Sequence, residues 1–220
     1  MACSLKFIEK YAAALEAIGD APPPAPRWNQ DWFPRLDAAA AYATVRETKP
    51  RRIVEVGSGH STRFLARAVA DGGLDTRITA IDPRPRASIA GLKVEFLPIP
   101  VQESDRKIFD ELQPGDILFI DSSHQVRPGN DVDFLLGKMI PALPAGARVH
   151  FHDIFLPDDY PADWAWRRYD EQAAVAALIE QGVLKPEFSS HRAAKNLSGM
   201  LARLPLVPGA RESSLWLTRH

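Results

Sequence analysis

A glycine-rich turn is the first part of this sequence whose residue types and spacing could do chemistry. Gly57 and Gly59 directly follow a short apolar, β-branched run and precede a stretch with helical spacing. Glycines at a strand-to-helix turn allow a tight bend and let a ligand approach the backbone closely. The turn predicts a cofactor-binding loop, against the alternative of a plain connection capped by Ser61.

An acidic residue at the end of the next predicted strand supports a bound cofactor. Asp82 is suitably placed to accept hydrogen bonds from two ribose hydroxyls. A dinucleotide fingerprint would need a third glycine at the position of Thr62. The loop therefore disfavours a nicotinamide or flavin dinucleotide.

Two aspartates and two histidines stand at the ends of two later predicted strands. Asp121 and His124 follow one strand, and His152 and Asp153 end the next. Because the carboxyl ends of neighbouring parallel strands meet at one edge of a sheet, both pairs should open into one cleft. A histidine with a pKa near ~6.5 suits proton transfer, so His124 is the candidate general base.

The elements that must position these residues follow from hydrophobic periodicity. Short β-branched runs alternate with helical stretches from residue 51 onward, which predicts a doubly wound, Rossmann-like α/β sheet over residues 51–220. Two helical patterns around a proline cluster predict an N-terminal helical appendage over residues 1–50. The predicted strands are 53–56, 77–82, 94–99, 117–120, 148–152 and 214–217. The predicted helices are 5–18, 37–48, 61–70, 105–111, 131–140 and 170–181.

The composition is that of a soluble globular protein and excludes several classes of function. Hydrophobic residues make up 45% of the 220 residues and charged residues 25%. Lys and Arg total 27 against 28 Asp and Glu, so no positive field favours nucleic acid or an anionic membrane. Because Cys3 is the only cysteine, and because we find no signal peptide or membrane span, we expect a cytoplasmic protein.

The residues described above resemble the Rossmann-like S-adenosylmethionine-dependent methyltransferases. The resemblance rests on Glu-x-Gly-x-Gly from Glu55 and on acids that end the second and fourth strands. Residues 115–124 and 150–157 are similar to a bacterial branch distantly related to the catechol-type O-methyltransferases. The resemblance covers residues 32–217 and implies a seven-stranded, mostly parallel sheet whose last strand is antiparallel.

The resemblance implies that S-adenosylmethionine is the cofactor, and it assigns a residue to each part of that molecule. Glu55 would orient the glycine loop, Asp82 would bind the ribose, and Gln102 would flank the adenine. Asp121 would suit the positively charged sulfonium, whereas a pyrophosphate would prefer basic groups. The methionine end would lie on Gly57, Ser58, Gly59 and Ser61.

The resemblance also raises the question of a metal. The catechol-type enzymes hold magnesium through the aspartate after strand four and an Asp-Asn pair ending strand five, and they have a catalytic lysine where His124 stands. Here the pair is His152-Asp153, which supplies an imidazole where magnesium prefers oxygen. We therefore expect no required metal, with Asp121, His124, His152 and Asp153 as the catalytic candidates.

The sequence predicts a methyltransferase that moves a methyl group to an oxygen, in preference to a nitrogen, of a small-molecule or sugar-like acceptor. Two alternatives stay open: a nicotinamide-dependent oxidoreductase, and a non-catalytic ligand-binding module on the same fold. We expect neither a nucleic-acid nor a membrane partner, and a homodimer is left open. Two aromatic segments, 28–33 and 155–169, could either cover the cleft or pack as core.

Overall fold

The computed structural model of the chain describes residues 5–220, apart from the side chain of residue 200. Cys3 lies outside the described residues. Within residues 5–220, seven strands form one sheet: β1 (Arg52–Val56), β2 (Arg77–Ile81), β3 (Glu95–Leu97), β4 (Ile117–Ile120), β5 (Arg148–Phe151), β6 (Leu184–Ser189) and β7 (Leu215–Arg219). The α-helices are α1 (Leu5–Lys10), α2 (Ala12–Glu16), α3 (Arg35–Thr48), α4 (His60–Gly72), α5 (Lys107–Asp110), α6 (Asp131–Phe134), α7 (Ile140–Ala142), α8 (Glu171–Glu180), α9 (Ser190–Ala194) and α10 (Gly199–Arg203).

The order of the strands creates a topological switch point in the middle of the sheet. The order is β3-β2-β1-β4-β5-β7-β6, with the first five strands parallel and β7 antiparallel to both of its neighbours. After β1 the chain builds outward to β3, and then returns to the other side of β1 with β4. Ligands of doubly wound sheets bind beyond the carboxyl ends of the strands at such a point.

Two apolar layers bury the sheet from both faces. Ile53 and Phe119 face the layer built by α1 to α4, while Val54 and Leu118 face the layer that includes α6, α7 and α8. Because both faces are covered, the central strands are continuously buried rather than alternating between buried and exposed residues. The predicted seven-stranded, mostly parallel Rossmann-like sheet is confirmed.

Several boundaries differ from the sequence prediction. The predicted N-terminal helix is divided at Tyr11 into α1 and α2. The helix predicted over 131–140 contains a π-helical segment, Leu135–Met139, between α6 and α7. Strand β6 was missed because Pro186 interrupts its pattern, and proline is tolerated here because β6 is an edge strand with an irregular register.

The N-terminal segment packs into the same apolar layer as α4 rather than standing apart from the sheet. Ile8 and Leu15 are fully buried, and Tyr42 of α3 is buried beside them. Trp28 contacts the ring of Phe64 at 5.1 Å between centroids. The boundary at residue 50 between an appendage and a second domain stays a prediction.

Among the described residues, no helix combines the length and the apolar character that a membrane crossing would require.

Candidate active site

A cavity of about 720 Å³ lies at the carboxyl ends of β1, β2, β4 and β5. Its volume falls within the ~300–1,000 Å³ range typical of small-molecule sites. Glu55 lies outside the lining, and the other predicted site residues contribute to it. These are Gly57, Ser58, Gly59, Ser61, Asp82, Gln102, Asp121, His124, His152 and Asp153. The structure therefore brings the predicted cofactor and catalytic groups to one cavity.

The glycine loop, residues 57–61, is shaped by a close approach between two strand ends. A Cβ atom built on Gly57 would lie 1.9 Å from the backbone oxygen of Asp121, and its φ of +86° is already in the region that favours glycine. The amide of Asp121 donates a hydrogen bond of 2.8 Å to the carbonyl of Val56. Only glycine fits at position 57, because a side chain there would collide with the backbone of Asp121.

Glu55 supports the loop from beneath. The Ser61 hydroxyl donates a hydrogen bond of 2.6 Å to Glu55 Oε1, which connects β1 to the first turn of α4. Burial raises the pKa of Glu55 to about 8, although the hydrogen bond from Ser61 opposes this shift. Glu55 Oε2 is buried without a partner among the described residues. Glu55 therefore holds the Ser61 hydroxyl at the start of α4.

Asp82 and Gln102 both line the cavity. Asp82 Oδ2 accepts hydrogen bonds from the amide and hydroxyl of Ser58, at 2.7 and 3.0 Å, and Oδ1 accepts one from the amide of Arg84 at 2.7 Å. Since a carboxylate has about four acceptor sites and three are taken here, one is open to a hydroxyl, and a second would open if the Ser58 hydroxyl turned away. Gln102 is exposed, and its amide donates to the Gly129 carbonyl at 3.2 Å. The loop and these two side chains fit a nucleoside-bearing cofactor.

His124 lies among three carboxylates. Its Nδ1 is 3.0 Å from Glu171 Oε2, while its Nε2 is 3.3 Å from Asp121 Oδ1 and 3.6 Å from Asp153 Oδ2. The side chain is 5% exposed. Both His124 and Asp153 have positive φ angles, 59° and 55°, which non-glycine residues seldom adopt. Such backbone strain is typical of functional sites, where the surrounding structure compels it.

The surroundings of His124 favour its charged form. Burial alone would lower the pKa of His124, but the hydrogen bonds with Asp121 and Glu171 and the charge of Asp153 raise it well above 6.5. Burial would raise the pKa of Asp121, but the charges and hydrogen bonds of His152 and His124 hold it well below its usual range. The pKa of His124 thus differs from the ordinary value expected from the sequence.

His152 is the second buried imidazole of the cluster. Its Nδ1 lies 3.5 Å from both Asp121 Oδ1 and Asp153 Oδ1, and its Nε2 lies 3.2 Å from Asp37 Oδ2. Burial would lower the pKa of His152, but the charges of Asp153 and Asp121 raise it well above the ordinary value. Asp121 therefore lies between two imidazoles, each held by a further carboxylate.

Sequence reasoning missed Glu171 and Asp37, the two carboxylates behind these imidazoles. Both side chains are fully buried, at the start of α8 and in the first turn of α3 respectively. Asp37 accepts hydrogen bonds from the amides of Ser213 and Ser214, at 3.1 and 2.9 Å, and from the hydroxyl of Ser190. A single acidic residue followed by four alanines was the signal available for Asp37, while nothing comparable marks Glu171.

His150 and His60 lie outside the carboxylate cluster. His150 is buried in the sheet, where its ring stacks on Phe119 at 3.7 Å and its Nε2 lies 2.8 Å from the Ser214 hydroxyl. Burial, reinforced by the charge of His152, lowers the pKa of His150 well below the usual range. His60 is half-buried and lines the cavity, rather than pointing freely into solvent.

The donor set does not fit a resident magnesium ion. His124 Nε2 lies 3.3 Å from Asp121 Oδ1 and 3.6 Å from Asp153 Oδ2, so an imidazole nitrogen stands beside both carboxylates. Magnesium prefers oxygen ligands in near-octahedral arrangement. Among residues 5–220, no group of three or more His, Cys, Asp or Glu side chains is arranged to hold a metal.

The aromatic segments divide between the two roles left open by the sequence. Trp32 is 48% exposed and lines the cavity, with the Arg86 guanidinium 4.4 Å from its ring centre, whereas Phe33 also borders the cavity but is buried in the core. Trp164 also lines the cavity, with Arg167 4.1 Å from its ring centre. The N-terminal and C-terminal parts of the chain each contribute one tryptophan to the cavity.

Residues 54–154 match a family model described as a methyltransferase domain. This range begins in β1, contains the glycine loop and Asp82, and ends just after Asp153. No curated protein sequence shows a significant match to the chain. The prediction of a Rossmann-like methyltransferase is confirmed by this match and by the fold.

Solved methyltransferase structures share the fold at low sequence identity. The SAH-bound methyltransferase PaMTH1 of Podospora anserina is 17% identical, with a TM-score of 0.55 over 97% of this chain and 88% of that chain. An O-methyltransferase from Bacillus cereus in complex with SAH is also 17% identical, with a TM-score of 0.51 over 98% of this chain and 90% of that chain. At these identities the likeness establishes the fold alone.

Proposed function

We propose that this chain, which carries a methyltransferase domain over residues 54–154, transfers a methyl group from S-adenosylmethionine to an oxygen of a small-molecule acceptor. The observation that carries the proposal is the single cavity of about 720 Å³ lined by both the glycine loop and the imidazole–carboxylate cluster. The two related structures contain SAH, S-adenosylhomocysteine, which is the product left after methyl transfer. A cofactor loop and proton-handling groups in one cavity are what such a reaction needs.

The glycine loop and Asp82 would bind the cofactor. The exposed backbone of the loop suits a compact amino-acid end, and Ser61, fixed by Glu55, would add a hydroxyl to that contact. The Asp82 carboxylate would accept hydrogen bonds from two ribose hydroxyls. The methionine end is proposed to contact Gly57, Ser58, Gly59 and Ser61, and the adenine to lie beside Gln102.

Asp121 would stabilise the positive charge that S-adenosylmethionine brings with its reactive methyl group. The flanking imidazoles hold the pKa of Asp121 well below the usual range, so the carboxylate stays ionised at any ordinary pH. A permanent negative charge in a partly enclosed cavity attracts a sulfonium more strongly than it would in water. Asp121 would thereby help to place the methyl group before the acceptor.

His124 is proposed to receive the proton of the acceptor hydroxyl. A methyl group passes in line to the acceptor oxygen, so the sulfur–carbon bond breaks as the carbon–oxygen bond forms and the hydroxyl proton must leave. Glu171 fixes the Nδ1 side of His124, which leaves Nε2 as the atom near Asp121 and Asp153. Because its pKa is raised, His124 would act as a base at a higher pH than an ordinary histidine.

His152 and Asp153 would complete the acceptor side of the cavity. Asp153 Oδ1 accepts a hydrogen bond of 3.0 Å from the Ser213 hydroxyl and lies 3.5 Å from His152 Nδ1. These contacts fix the carboxylate that faces His124 Nε2. We propose that Asp153 orients the His124 imidazole and that His152 helps to keep Asp121 ionised.

The acceptor is proposed to be a small molecule in the cytoplasm. A net charge of −1 gives no support for a nucleic-acid acceptor, and a cavity of about 720 Å³ suits a compact one. Residues 1–50 are proposed to form a helical appendage whose segment 31–33 covers part of the cavity.

A methyl-transfer assay tests the proposal. The chain would be incubated with S-adenosylmethionine carrying a labelled methyl group and with phenols, catechols, sugars and matching amines, and the products would be identified by mass spectrometry. We expect label on an oxygen of at least one acceptor. Label found only on nitrogen would contradict the assignment of the acceptor atom.

A further inference from the structure

A second pocket of about 500 Å³ adjoins the main cavity on the side of α4. We call it the arginine pocket, because three arginines contribute to its lining: Arg27, Arg63 and Arg86. The pocket shares Trp32 and His60 with the main cavity. The reaction proposed above assigns no role to any of these arginines.

Arg63 is the buried centre of the arginine pocket. The residue is 2% exposed, and its Nε and Nη2 donate hydrogen bonds of 3.0 and 2.7 Å to the Ser88 carbonyl. Its third nitrogen, Nη1, is buried without a hydrogen-bond partner among the described residues. A buried charged group with an unused donor is costly, so an unpartnered Nη1 in a pocket points to a ligand.

Two further buried nitrogen atoms, from residues that line the pocket, lack partners. Arg27 Nε and His60 Nδ1 each have no hydrogen-bond partner among the described residues. Buried polar atoms are rarely left unpaired in folded proteins. The three nitrogens come from the segment before α3 and from the first turn of α4.

The charge of the arginine pocket is not neutralised from within the protein. None of Arg27, Arg63 and Arg86 forms a salt bridge with a carboxylate in the described part of the chain, and the only carboxylate in the pocket lining is that of Asp31. Burial, together with the charges of Arg63 and Arg27, lowers the pKa of His60 to about 4. The pocket thus presents guanidinium groups and a neutral imidazole.

We propose that the arginine pocket binds an oxyanion, either a carboxylate or a phosphate group, through Arg27, Arg63 and His60. Guanidinium groups present donors in a planar fork that matches such groups, and they remain charged at any ordinary pH. The oxyanion has two sources that share this chemistry. It is either an anionic group on a second molecule, or the carboxylate of the cofactor itself, and only the latter source rests on the proposed function.

The test compares the wild-type chain with Arg27→Gln, using Arg192→Gln as the matched control. Arg27 is the suitable position because Arg63 also holds the Ser88 carbonyl, whereas Arg192 is exposed and lies outside both pockets. The probes are inorganic phosphate, S-adenosylhomocysteine and 5′-methylthioadenosine, which lacks the amino-acid end. Binding is measured by calorimetry, and the His60 resonances are followed by NMR.

A separate anion is indicated if phosphate binds to the wild type, raises the pKa of His60, and binds roughly tenfold more weakly to Arg27→Gln. The cofactor carboxylate is indicated if the substitution weakens the binding of S-adenosylhomocysteine by a similar factor and leaves the binding of 5′-methylthioadenosine unchanged. Equal affinities of all three probes for Arg27→Gln and Arg192→Gln would overturn the proposal. Phosphate binding without any binding of S-adenosylhomocysteine would leave the oxyanion site standing and reject the proposed function.

Discussion

The glycine loop and the imidazole–carboxylate cluster line the same cavity but are held in different ways. The loop obtains its shape from backbone atoms, because Gly57 lies directly against the carbonyl of Asp121. The cluster is held by charged side chains, with His124 and His152 each placed between carboxylates from different elements. One region has a fixed shape with few charges, and the other has many charges in a buried setting.

Because of this difference, we expect the loop to determine cofactor affinity and the cluster to determine turnover. A substitution in the glycine loop changes the shape of its backbone, so it should affect cofactor affinity. A substitution in the cluster changes the ionisation of groups beside the reacting atoms, so it should affect turnover. Each of the following predictions tests whether the two regions are as independent as their construction implies.

The largest effect is expected for His124→Gln. Glutamine can still hydrogen-bond Glu171 but cannot accept a proton, so turnover should fall by roughly 10²–10⁴-fold. The affinity for S-adenosylhomocysteine should change little, as calorimetry would show. His191→Gln is the control, because His191 pairs with Asp158 away from the cavity lining. Equal turnover of His124→Gln and wild type between about pH 6 and 9 would remove the base role from His124.

Gly57→Ala should act on the glycine loop and lower the cofactor affinity. The new Cβ cannot lie 1.9 Å from the Asp121 carbonyl, so the loop must shift, and we expect the dissociation constant of S-adenosylhomocysteine to rise about 100-fold. Gly19→Ala is the control, because the space around Gly19 is open. Unchanged affinity in a folded Gly57→Ala variant would place the cofactor elsewhere.

Asp82→Asn should give a smaller loss of affinity. The amide retains the shape of the side chain but replaces one acceptor oxygen by a donor, so we expect S-adenosylhomocysteine to bind roughly tenfold more weakly. Asp105→Asn is a matched control, since exposed Asp105 also accepts a backbone hydrogen bond, from Lys107. If both variants bind like the wild type in calorimetry, Asp82 does not contact the ribose.

Glu171→Gln should shift the pH dependence of turnover. A base must be unprotonated, so the rate should rise with pH through the pKa of His124, which Glu171 helps to raise. Removing the Glu171 charge stabilises the imidazolium less, and the rising limb should therefore move to lower pH. Glu180→Gln, on the exposed end of α8, should leave the profile unchanged. A limb that stays in place or moves to higher pH contradicts the proposed pairing.

Chelation should have the smallest effect. Because imidazoles stand beside Asp121 and Asp153, we expect exhaustive chelation to leave turnover unchanged. The measurement is activity with a chelator, followed by the return of individual metals. Activity that is lost, restored by magnesium, and not restored in Asp153→Asn would instead make the two aspartates metal ligands.

The sequence could predict those parts of the fold and site that depend on consecutive residues. The parallel strands are mostly apolar runs, as in Ile53 and Val54, because both of their faces are buried. The glycine loop could likewise be predicted, because its residues are adjacent in the sequence. Asp121 and Asp153 could be placed in one cavity because each directly follows a strand of the same parallel sheet.

The rest depends on contacts between residues that are distant in the sequence. His124 and Glu171 are 47 positions apart, and His152 and Asp37 are 115 positions apart, so no local pattern pairs them. The raised pKa of His124 could not be predicted either, because it depends in part on Glu171. Strand β6 was missed for a related reason, because its pairing with β7 compensates for a proline that weakens its local pattern.

The most direct test of the account is calorimetric titration of the chain with S-adenosylmethionine, S-adenosylhomocysteine and NAD in parallel. The glycine loop has no third glycine, and ionised Asp121 faces the cavity, so the account predicts one site per chain that binds the first two compounds and not NAD. Asp82→Asn should weaken the binding of both S-adenosylmethionine and S-adenosylhomocysteine. Binding of NAD alone would contradict the account.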